Sequence, residues 1–133
     1  PELLSILYRM GHGDEIVFAD AHFPGDSMNS CVIRADGLNV TDLLESILPL
    51  FELDQYVDYP VIMMAAVEGD QLAPNETSAY EQTISKHSNI FTSIKNIERE
   101  KFYHRSKQAF AVVMTGEIRK YGNVIIKKGV TPI

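Results

Sequence analysis

Apolar residues recur at helical spacing in some segments of the chain and form short continuous runs in others. Spacing of three to four residues between apolar positions is typical of an amphipathic helix, and it is clearest near the amino end and from Thr41 onward. The four predicted helices are Pro1–Met10, Thr41–Phe51, Asn75–Lys86 and the more polar Glu100–Ala109. Thr41 and Asn75 suit helix N-caps. Gly11 suits a helix stop, and Pro49 predicts an end or a kink in the last turn.

The continuous apolar runs have the length and the composition of β-strands. Val61–Val67 is apolar throughout, which is typical of a strand covered on both faces, as in a parallel sheet under helices. The predicted strands are Glu15–Ala19, Cys31–Arg34, Val61–Val67, Thr92–Ile97, Phe110–Thr115 and Asn123–Ile126. Strands that alternate with helices predict an α/β fold, a single domain over residues 1–133 with a helix-covered sheet in three layers.

Composition and charge narrow the function classes. The chain has 133 residues, of which 45% are hydrophobic and 23% charged, with a formal net charge of −6. This balance argues against a general nucleic-acid binder, which needs a basic face. The single Cys31 permits no intramolecular disulfide. Val61–Val67 is too short to span a bilayer, and no charged-then-apolar leader opens the chain, so we expect no membrane partner and a cytoplasmic location.

The sequence carries no nucleotide or nucleophile signature. Gly11-His12-Gly13 follows a helix and precedes a strand, which is the reverse of the order in a dinucleotide-binding fingerprint. Cys31 lies in an apolar run with nothing to make its thiol reactive, so we expect it to be structural. The candidate chemistry therefore lies with polar side chains elsewhere.

Titratable side chains concentrate around the first predicted strand. His12 precedes this strand, and Asp20 and His22 follow it. Five extended residues span about 17 Å, so His12 and Asp20 of one chain are expected to lie far apart unless copies meet at a subunit boundary. Their roles here are either capping and turn formation or chemistry. His12, Asp20 and His22 are also acceptable zinc or manganese ligands, but their spacing matches no tight ligand signature.

The second candidate region is the turn Tyr121-Gly122-Asn123 before the last predicted strand. One interpretation is a simple hairpin-type turn. The other is a sugar-binding corner, in which an aromatic face, a hydroxyl and an amide meet. Most basic residues fall in the carboxyl-terminal third and suit a solvated face, although one arginine directed into a cleft could bind neutral hydroxyl groups.

Several stretches together resemble the ribose pyranase and fucose mutarotase family (RbsD/FucU), on the fucose mutarotase side. The resemblance covers nearly the whole chain. The stretches are Met10–Ile16, Asp20–Pro24, Ile33–Gly37, Met63–Asp70, Thr115–Glu117, Tyr121–Asn123 and Lys127–Pro132. It implies an RbsD-like fold and an isomerase that changes the anomer of a free monosaccharide, L-fucose in one branch, whereas the ribose branch converts pyranose and furanose forms. It implies no cofactor and no metal.

Mutarotation opens a cyclic hemiacetal, turns the carbonyl and closes the ring again. One proton must reach the ring oxygen, and another must leave the anomeric hydroxyl. A histidine can serve in both directions, and such help is typically worth about 10²–10⁴-fold in rate. By resemblance, His12 matches the family's proton donor and Asp20 a substrate-binding carboxylate.

The remaining assignments also come from the resemblance. Tyr121, Gly122 and Asn123 match the substrate-binding turn, and the Tyr121 phenol is a second candidate for proton transfer. Arg99 matches the position where fucose-type members have arginine, and Arg105 is the alternative after a shift of about one turn. His22 departs from some relatives and is expected behind the substrate contacts.

The resemblance implies a homo-oligomer, a decamer of two stacked pentameric rings, with each cleft bordered by a neighbouring chain. Which site residues come from which subunit stays open. Three other interpretations stay open too: a ribose-type pyranase, a non-catalytic sugar-binding subunit, and a metal-dependent sugar enzyme using His12, Asp20 and His22.

Overall fold

Helices and strands alternate in the computed structural model, which describes residues 2–67, 69, 76–91 and 93–131. The helices are α1 (Glu2–Arg9), α2 (Gly25–Met28), α3 (Val40–Ile47), α4 (Glu76–His87) and α5 (Arg99–Gln108), and a 3₁₀ turn covers Leu48–Leu50. The strands are β1 (Glu15–Ala19), β2 (Val32–Ala35), β3 (Val61–Met64), β4 (Lys95–Ile97), β5 (Ala111–Thr115) and β6 (Val124–Lys127). Pro1, Asn75 and Thr92, where three predicted elements begin, lie outside the described residues.

The six strands form one sheet in the order β2-β5-β1-β6-β3-β4. Strand β6 is antiparallel to both of its neighbours, β1 and β3, and the other neighbouring pairs are parallel. The sheet is therefore mixed rather than parallel. As a result, the carboxyl ends of β1 to β5 and the amino end of β6 meet at one edge, which we call the carboxyl edge. The other edge is the amino edge.

Helices cover both faces of the sheet, which confirms the predicted three-layer α/β domain. Successive side chains of a strand point to opposite faces. Ile16 and Phe18 accordingly join the larger apolar cluster, which includes buried residues of α1, α3 and α4. Val17 and Ala19 join the second cluster, together with Phe102 of α5. Each of these four β1 side chains is fully buried.

Local side-chain chemistry explains where the elements differ from the prediction. The N-cap of α3 is Asn39 and not Thr41, because the Asn39 side-chain oxygen accepts a hydrogen bond from the Asp42 N–H at 2.8 Å. Pro49 ends α3 as predicted, and the chain passes into a 3₁₀ turn. Strand β3 ends at Met64, short of the predicted Val67. Helix α2 was not predicted, since four residues carry no periodic signal.

Among the described residues, no helix combines the length and the apolar character needed to cross a bilayer.

Candidate functional site

A cleft of about 410 Å³ opens at the carboxyl edge of the sheet. It is built from the loop after β1, the end of β3, the first turn of α5 and the segment before β6. Open α/β sheets bind ligands at this edge, because loops that leave neighbouring strands diverge there. The residues that line it are Asp20, His22, Phe23, Met64, Arg99, Tyr103, Lys120, Tyr121 and Asn123.

Asp20 follows β1 directly and is the most buried acid in the cleft, at 4% exposure. One of its side-chain oxygens accepts the His22 N–H at 3.0 Å. Burial raises the pKa of Asp20, and this effect is partly offset by backbone N–H groups of His22, Gly122 and Phe23 and by the His22 side chain. The cleft therefore holds a carboxyl group that retains a proton more readily than an exposed aspartate does.

The turn Tyr121-Gly122-Asn123 is joined to Asp20 across the sheet edge. The Asn123 side-chain oxygen accepts the Asp20 N–H at 2.7 Å. Tyr121 has a φ of 59°, an unusual backbone conformation for a residue with a side chain. The Val67 N–H lies 3.4 Å from the Tyr121 hydroxyl oxygen, as a long hydrogen bond. Residues in such conformations cluster at functional sites, where the surrounding structure holds them in place.

A buried pair beneath this turn was not predicted from the sequence. The Tyr80 hydroxyl donates to the Gly122 carbonyl oxygen at 3.0 Å and lies 3.4 Å from the Glu117 carboxylate. The Glu117 backbone oxygen in turn accepts the Ala21 N–H at 2.7 Å, next to Asp20. Tyr80 and Glu117 thus connect the Tyr121–Asn123 turn to the loop that follows Asp20. No sequence signal joins them, because α4 reaches this loop only through the fold.

The structure distinguishes Arg99 from Arg105. Arg99 begins α5 and lines the cleft, with its guanidinium carbon 5.2 Å from the centre of the Tyr103 ring. Its pKa is raised, chiefly by the hydrogen bond with the Tyr103 side chain. Arg105 lies about 9 Å further along the helix. It forms a part-buried ion pair with Glu15 at the amino edge, so Arg99 is the arginine of the cleft.

The cleft is lined by both polar and apolar side chains. Its polar groups include Asp20, Arg99 and Asn123. Its apolar surface comes from Phe23, Met64 and Tyr103, which the sequence does not mark as site residues. Phe23 stands edge-on to Tyr103 with ring centres 5.7 Å apart. A sugar ring presents hydroxyl edges and C–H faces, so a cleft of this kind suits it. His22 also lines the cleft, whereas we expected it behind the contacts.

His12 lies at the amino edge, at the other end of β1 from Asp20. This confirms the expectation that one chain keeps them apart. Its Nε2 atom is 3.1 Å from the Asp54 side-chain oxygen, and its ring centre is 5.4 Å from that of Tyr56. The side chain is 45% exposed and does not line the cleft. The fold therefore brings together Asp20, Arg99, Tyr121 and Asn123 but not His12.

The same separation divides the three residues that the sequence offers as metal ligands. His12 is at one edge, and Asp20 and His22 are at the other. Across the described ranges, no three histidine, cysteine or acidic side chains are grouped so as to hold a metal ion. Cys31 lies just before β2, half-buried and with a free thiol, away from the cleft.

Comparison with known proteins agrees with this architecture. The sequence model of the RbsD / FucU transport protein family matches residues 1–131. The chain is 59% identical to the L-fucose mutarotase of Haemophilus influenzae (strain 86-028NP), over 100% of the chain and 92% of that protein. The crystal structure of the fucose mutarotase from Streptococcus pneumoniae in complex with L-fucose superposes with a TM-score of 0.93 at 48% identity, covering 99% of this chain and 94% of that one. Bacillus subtilis RbsD complexed with D-ribose gives a TM-score of 0.75 at 27% identity, over 98% and 93% of the two chains.

Proposed function

Because the chain belongs to the RbsD/FucU family, we propose that it is a carbohydrate isomerase that interconverts the α and β anomers of L-fucose. The observation that carries the proposal is the cleft itself. It combines a buried carboxyl group, a guanidinium group and a phenol with apolar side chains, in a chain 59% identical to an L-fucose mutarotase. These groups can bind and protonate an uncharged sugar.

The polar side chains of the cleft supply contacts for the hydroxyl groups of the sugar. Arg99 presents a forked set of donors, and such forks bind pairs of oxygen atoms well. Asn123 is held by the Asp20 backbone N–H, which leaves its amide N–H₂ group as the donor for a ligand. We assign Asp20, Arg99, Tyr121, the Gly122 backbone and Asn123 to substrate binding.

The apolar side chains of the cleft favour L-fucose over ribose. L-Fucose is a 6-deoxyhexose, so its pyranose ring carries a methyl group, which the ribose ring lacks. Phe23, Met64 and Tyr103 offer an apolar surface for that methyl group. Burial of one methyl-sized group contributes about 0.8 kcal/mol. The ribose-type alternative therefore predicts weaker binding in this cleft.

Ring opening requires an acid at the ring oxygen and a base at the anomeric hydroxyl. We assign the proton transfers to His12 and Tyr121. Tyr121 is in the cleft, and its backbone conformation is fixed by its neighbours. His12 of the same chain is at the amino edge, so the His12 that acts in a cleft belongs to an adjoining copy.

A closed ring of subunits provides this arrangement. In a ring, one edge of each copy meets a different edge of the next, so the amino edge of one copy can border the carboxyl edge of its neighbour. Tyr56 beside His12 is 70% exposed, and Ile118 near the cleft is 78% exposed. Contacts at these two edges would bury both side chains. The number of copies comes from the family resemblance, which implies a homodecamer of two pentameric rings, and we propose that assembly for this chain.

Exchange of magnetisation between anomeric protons tests the function. Saturation-transfer NMR on L-fucose, D-ribose and D-galactose should show accelerated exchange, with L-fucose fastest. His12→Ala should lose about 10²–10⁴-fold of the rate, the usual contribution of a general acid–base group. Tight sugar binding without accelerated exchange in the unmodified protein would instead indicate a sugar-binding subunit.

Mixed rings test the shared site. His12→Ala keeps an intact cleft, and Asn123→Ala keeps an intact His12, so each variant alone should be inactive. Rings reassembled from an equal mixture should regain about a quarter of the wild-type exchange rate, because hybrid sites combine one good cleft with one good histidine. Mixed rings that stay inactive would show that both groups must come from one chain.

A further inference from the structure

We propose that Asp54 is the positioning residue for His12 and that it holds the imidazole so that Nδ1, not Nε2, faces the sugar. The inference rests on the proposed function, in which His12 transfers the proton. It adds a residue that neither the sequence pattern nor the cleft selects, because Asp54 lies at the amino edge, 42 positions from His12 in the chain.

Asp54 is itself fixed on several sides. Its backbone N–H donates to the Lys127 carbonyl oxygen at 3.0 Å, next to the bridge between Leu53 and Lys128. Its side chain is 4% exposed, and one carboxylate oxygen accepts the Tyr56 N–H at 3.0 Å. The same oxygen lies 3.1 Å from His12 Nε2. The imidazole therefore meets a carboxylate that has little freedom to move.

Hydrogen bonds that do not involve Asp54 hold the loop that carries His12. Gly13 N–H donates to the Lys128 carbonyl oxygen at 2.8 Å, and the Asp14 side chain accepts the Gly11 N–H at 2.8 Å. The Lys128 ammonium group donates to the carbonyl oxygens of Leu7 and Met10 at the end of α1, at 2.6 and 2.8 Å. The backbone on both sides of His12 and the imidazole itself are thus held, as a proton-transfer group requires.

The chemistry follows from what a carboxylate can do. An ionised carboxylate only accepts hydrogen bonds, so the neutral His12 ring must carry its proton on Nε2. The bare nitrogen is then Nδ1, which is the atom free to take or give the sugar's proton. When Nδ1 holds that proton, the imidazolium is stabilised by the Asp54 charge, as in other histidine–carboxylate pairs.

A purely structural role makes different predictions. The Asp54 oxygen that accepts the Tyr56 N–H forms a local turn, and this alone could account for a buried aspartate. Asp54→Asn separates the two roles, because the amide oxygen still accepts both N–H groups while the charge is lost. A turn-forming residue would tolerate this change, whereas a partner of the imidazolium would not.

The test measures anomer exchange of L-fucose by the wild type, Asp54→Asn, His12→Ala and the double variant. We expect kcat of Asp54→Asn to fall about tenfold or more at unchanged KM, because the charge that orients and stabilises the imidazolium is lost. The double variant should be no slower than His12→Ala, because Asp54 acts only through His12. Asp36→Asn, at an exposed acid paired with Arg34, serves as the matched control and should keep full activity.

The tautomer gives a readout that does not depend on a variant. In the wild type, ¹⁵N NMR of the side chain should show neutral His12 protonated on Nε2. A proton on Nδ1, or wild-type kcat in Asp54→Asn while His12→Ala is inactive, overturns the assignment of Asp54 alone. Full exchange by His12→Ala overturns the role of His12 in the proposed function, and the role of Asp54 with it.

Discussion

Burial of Asp20 in the cleft wall makes its ionised form costly to the fold. Its pKa is raised above the value in an unfolded chain, mainly by desolvation. The native state therefore binds this proton more tightly than the unfolded state. The associated stability is fully present below the unfolded pKa near 3.8 and is lost as pH rises through the higher native pKa.

Asp20→Asn should accordingly stabilise the protein at neutral pH while impairing the site. The amide oxygen can still accept the His22 N–H, but the buried charge is gone. KM for L-fucose should rise about 10–100-fold, since a hydrogen bond to a charged group contributes about 1.5–3 kcal/mol. Urea unfolding between pH 3 and 8, at one protomer concentration, measures the stability gain, which should vanish near the low end.

Asp36→Asn is a control, because the pKa of Asp36 shifts in the direction opposite to that of Asp20. The pKa of Asp36 is lowered, chiefly by its hydrogen bond with Arg34, so its contribution is present above pH 3.8 and lost as pH falls. This variant should therefore be no more stable than the wild type at neutral pH. A stability gain of equal size at every pH in Asp20→Asn would contradict the argument from burial.

Tyr80→Phe tests the support beneath the turn. The change removes one hydroxyl, which leaves the Gly122 carbonyl oxygen and the buried Glu117 carboxylate with one donor fewer. We expect a loss of about 1–3 kcal/mol in the free energy of unfolding, together with a raised KM for sugar. Tyr59→Phe keeps the ring that Lys95 overlies and should stay within about 0.5 kcal/mol of wild type. Equal stabilities for the two variants would remove Tyr80 from this role.

The sequence predicts the site residues that belong to one local motif, but not those that only the fold brings together. Asp20 and the turn Tyr121–Asn123 are local motifs with donors, acceptors and an aromatic ring, so the sequence marks them directly. Met64 and Tyr103 belong to a strand and a helix whose patterns indicate only burial or solvation. Tyr80 belongs to α4 and supports the turn from beneath the cleft. Such residues become visible only once the strand order is known.

At the scale of elements, close backbone approach requires a glycine at position 116. A Cβ atom on Gly116, just after β5, would lie 2.2 Å from the Asp36 carbonyl oxygen. Gly116→Ala must therefore displace the backbone after β2, and we expect a loss of more than about 3 kcal/mol. Gly37→Ala is the matched control, because a Cβ there meets nothing within 4 Å. Thermal unfolding of both at one concentration gives the comparison, and similar Tm values would refute it.

Variants at the two ends of α5 should distinguish an effect on sugar binding from an effect on protein stability. Arg99→Ala, in the cleft, should raise KM for L-fucose about 10–100-fold with little change in unfolding. Arg105→Ala breaks the ion pair with Glu15 and should cost about 1–3 kcal/mol of stability at unchanged KM. Each variant is the control for the other. The opposite pattern in sugar titrations and urea unfolding would place Arg105, not Arg99, against the substrate.

Element boundaries show where sequence patterns stop being informative. Thr41 and Asn39 are both acceptable N-caps by residue type, and Asn39 takes the role because its side-chain oxygen accepts the Asp42 N–H three residues on. The apolar run Val124–Ile126 looks the same for a parallel and an antiparallel strand. Its direction is set by its place between β1 and β3, which is a property of the whole sheet. Periodicity therefore predicts elements and layers, but not strand direction.

At the scale of the molecule, the sheet separates the two halves of the proposed chemistry. The cleft and His12 lie at opposite edges, divided by a strand of five residues that spans about 17 Å. A single copy cannot close this distance without breaking the β1 ladder to β5 and β6. Activity should therefore belong to the assembled ring rather than to the folded chain.

Dilution tests this dependence. Association follows mass action, so lowering the protomer concentration, with mild urea where needed, should dissociate the proposed ring while circular dichroism still reports a folded chain. Exchange of L-fucose anomers per protomer should fall in parallel with the sedimentation coefficient and recover on reconcentration. The Asp54→Asn variant should dissociate over the same range, because its defect is chemical. An activity per protomer that stays constant while the ring dissociates would mean that one copy completes the site alone, with His12 left out of it.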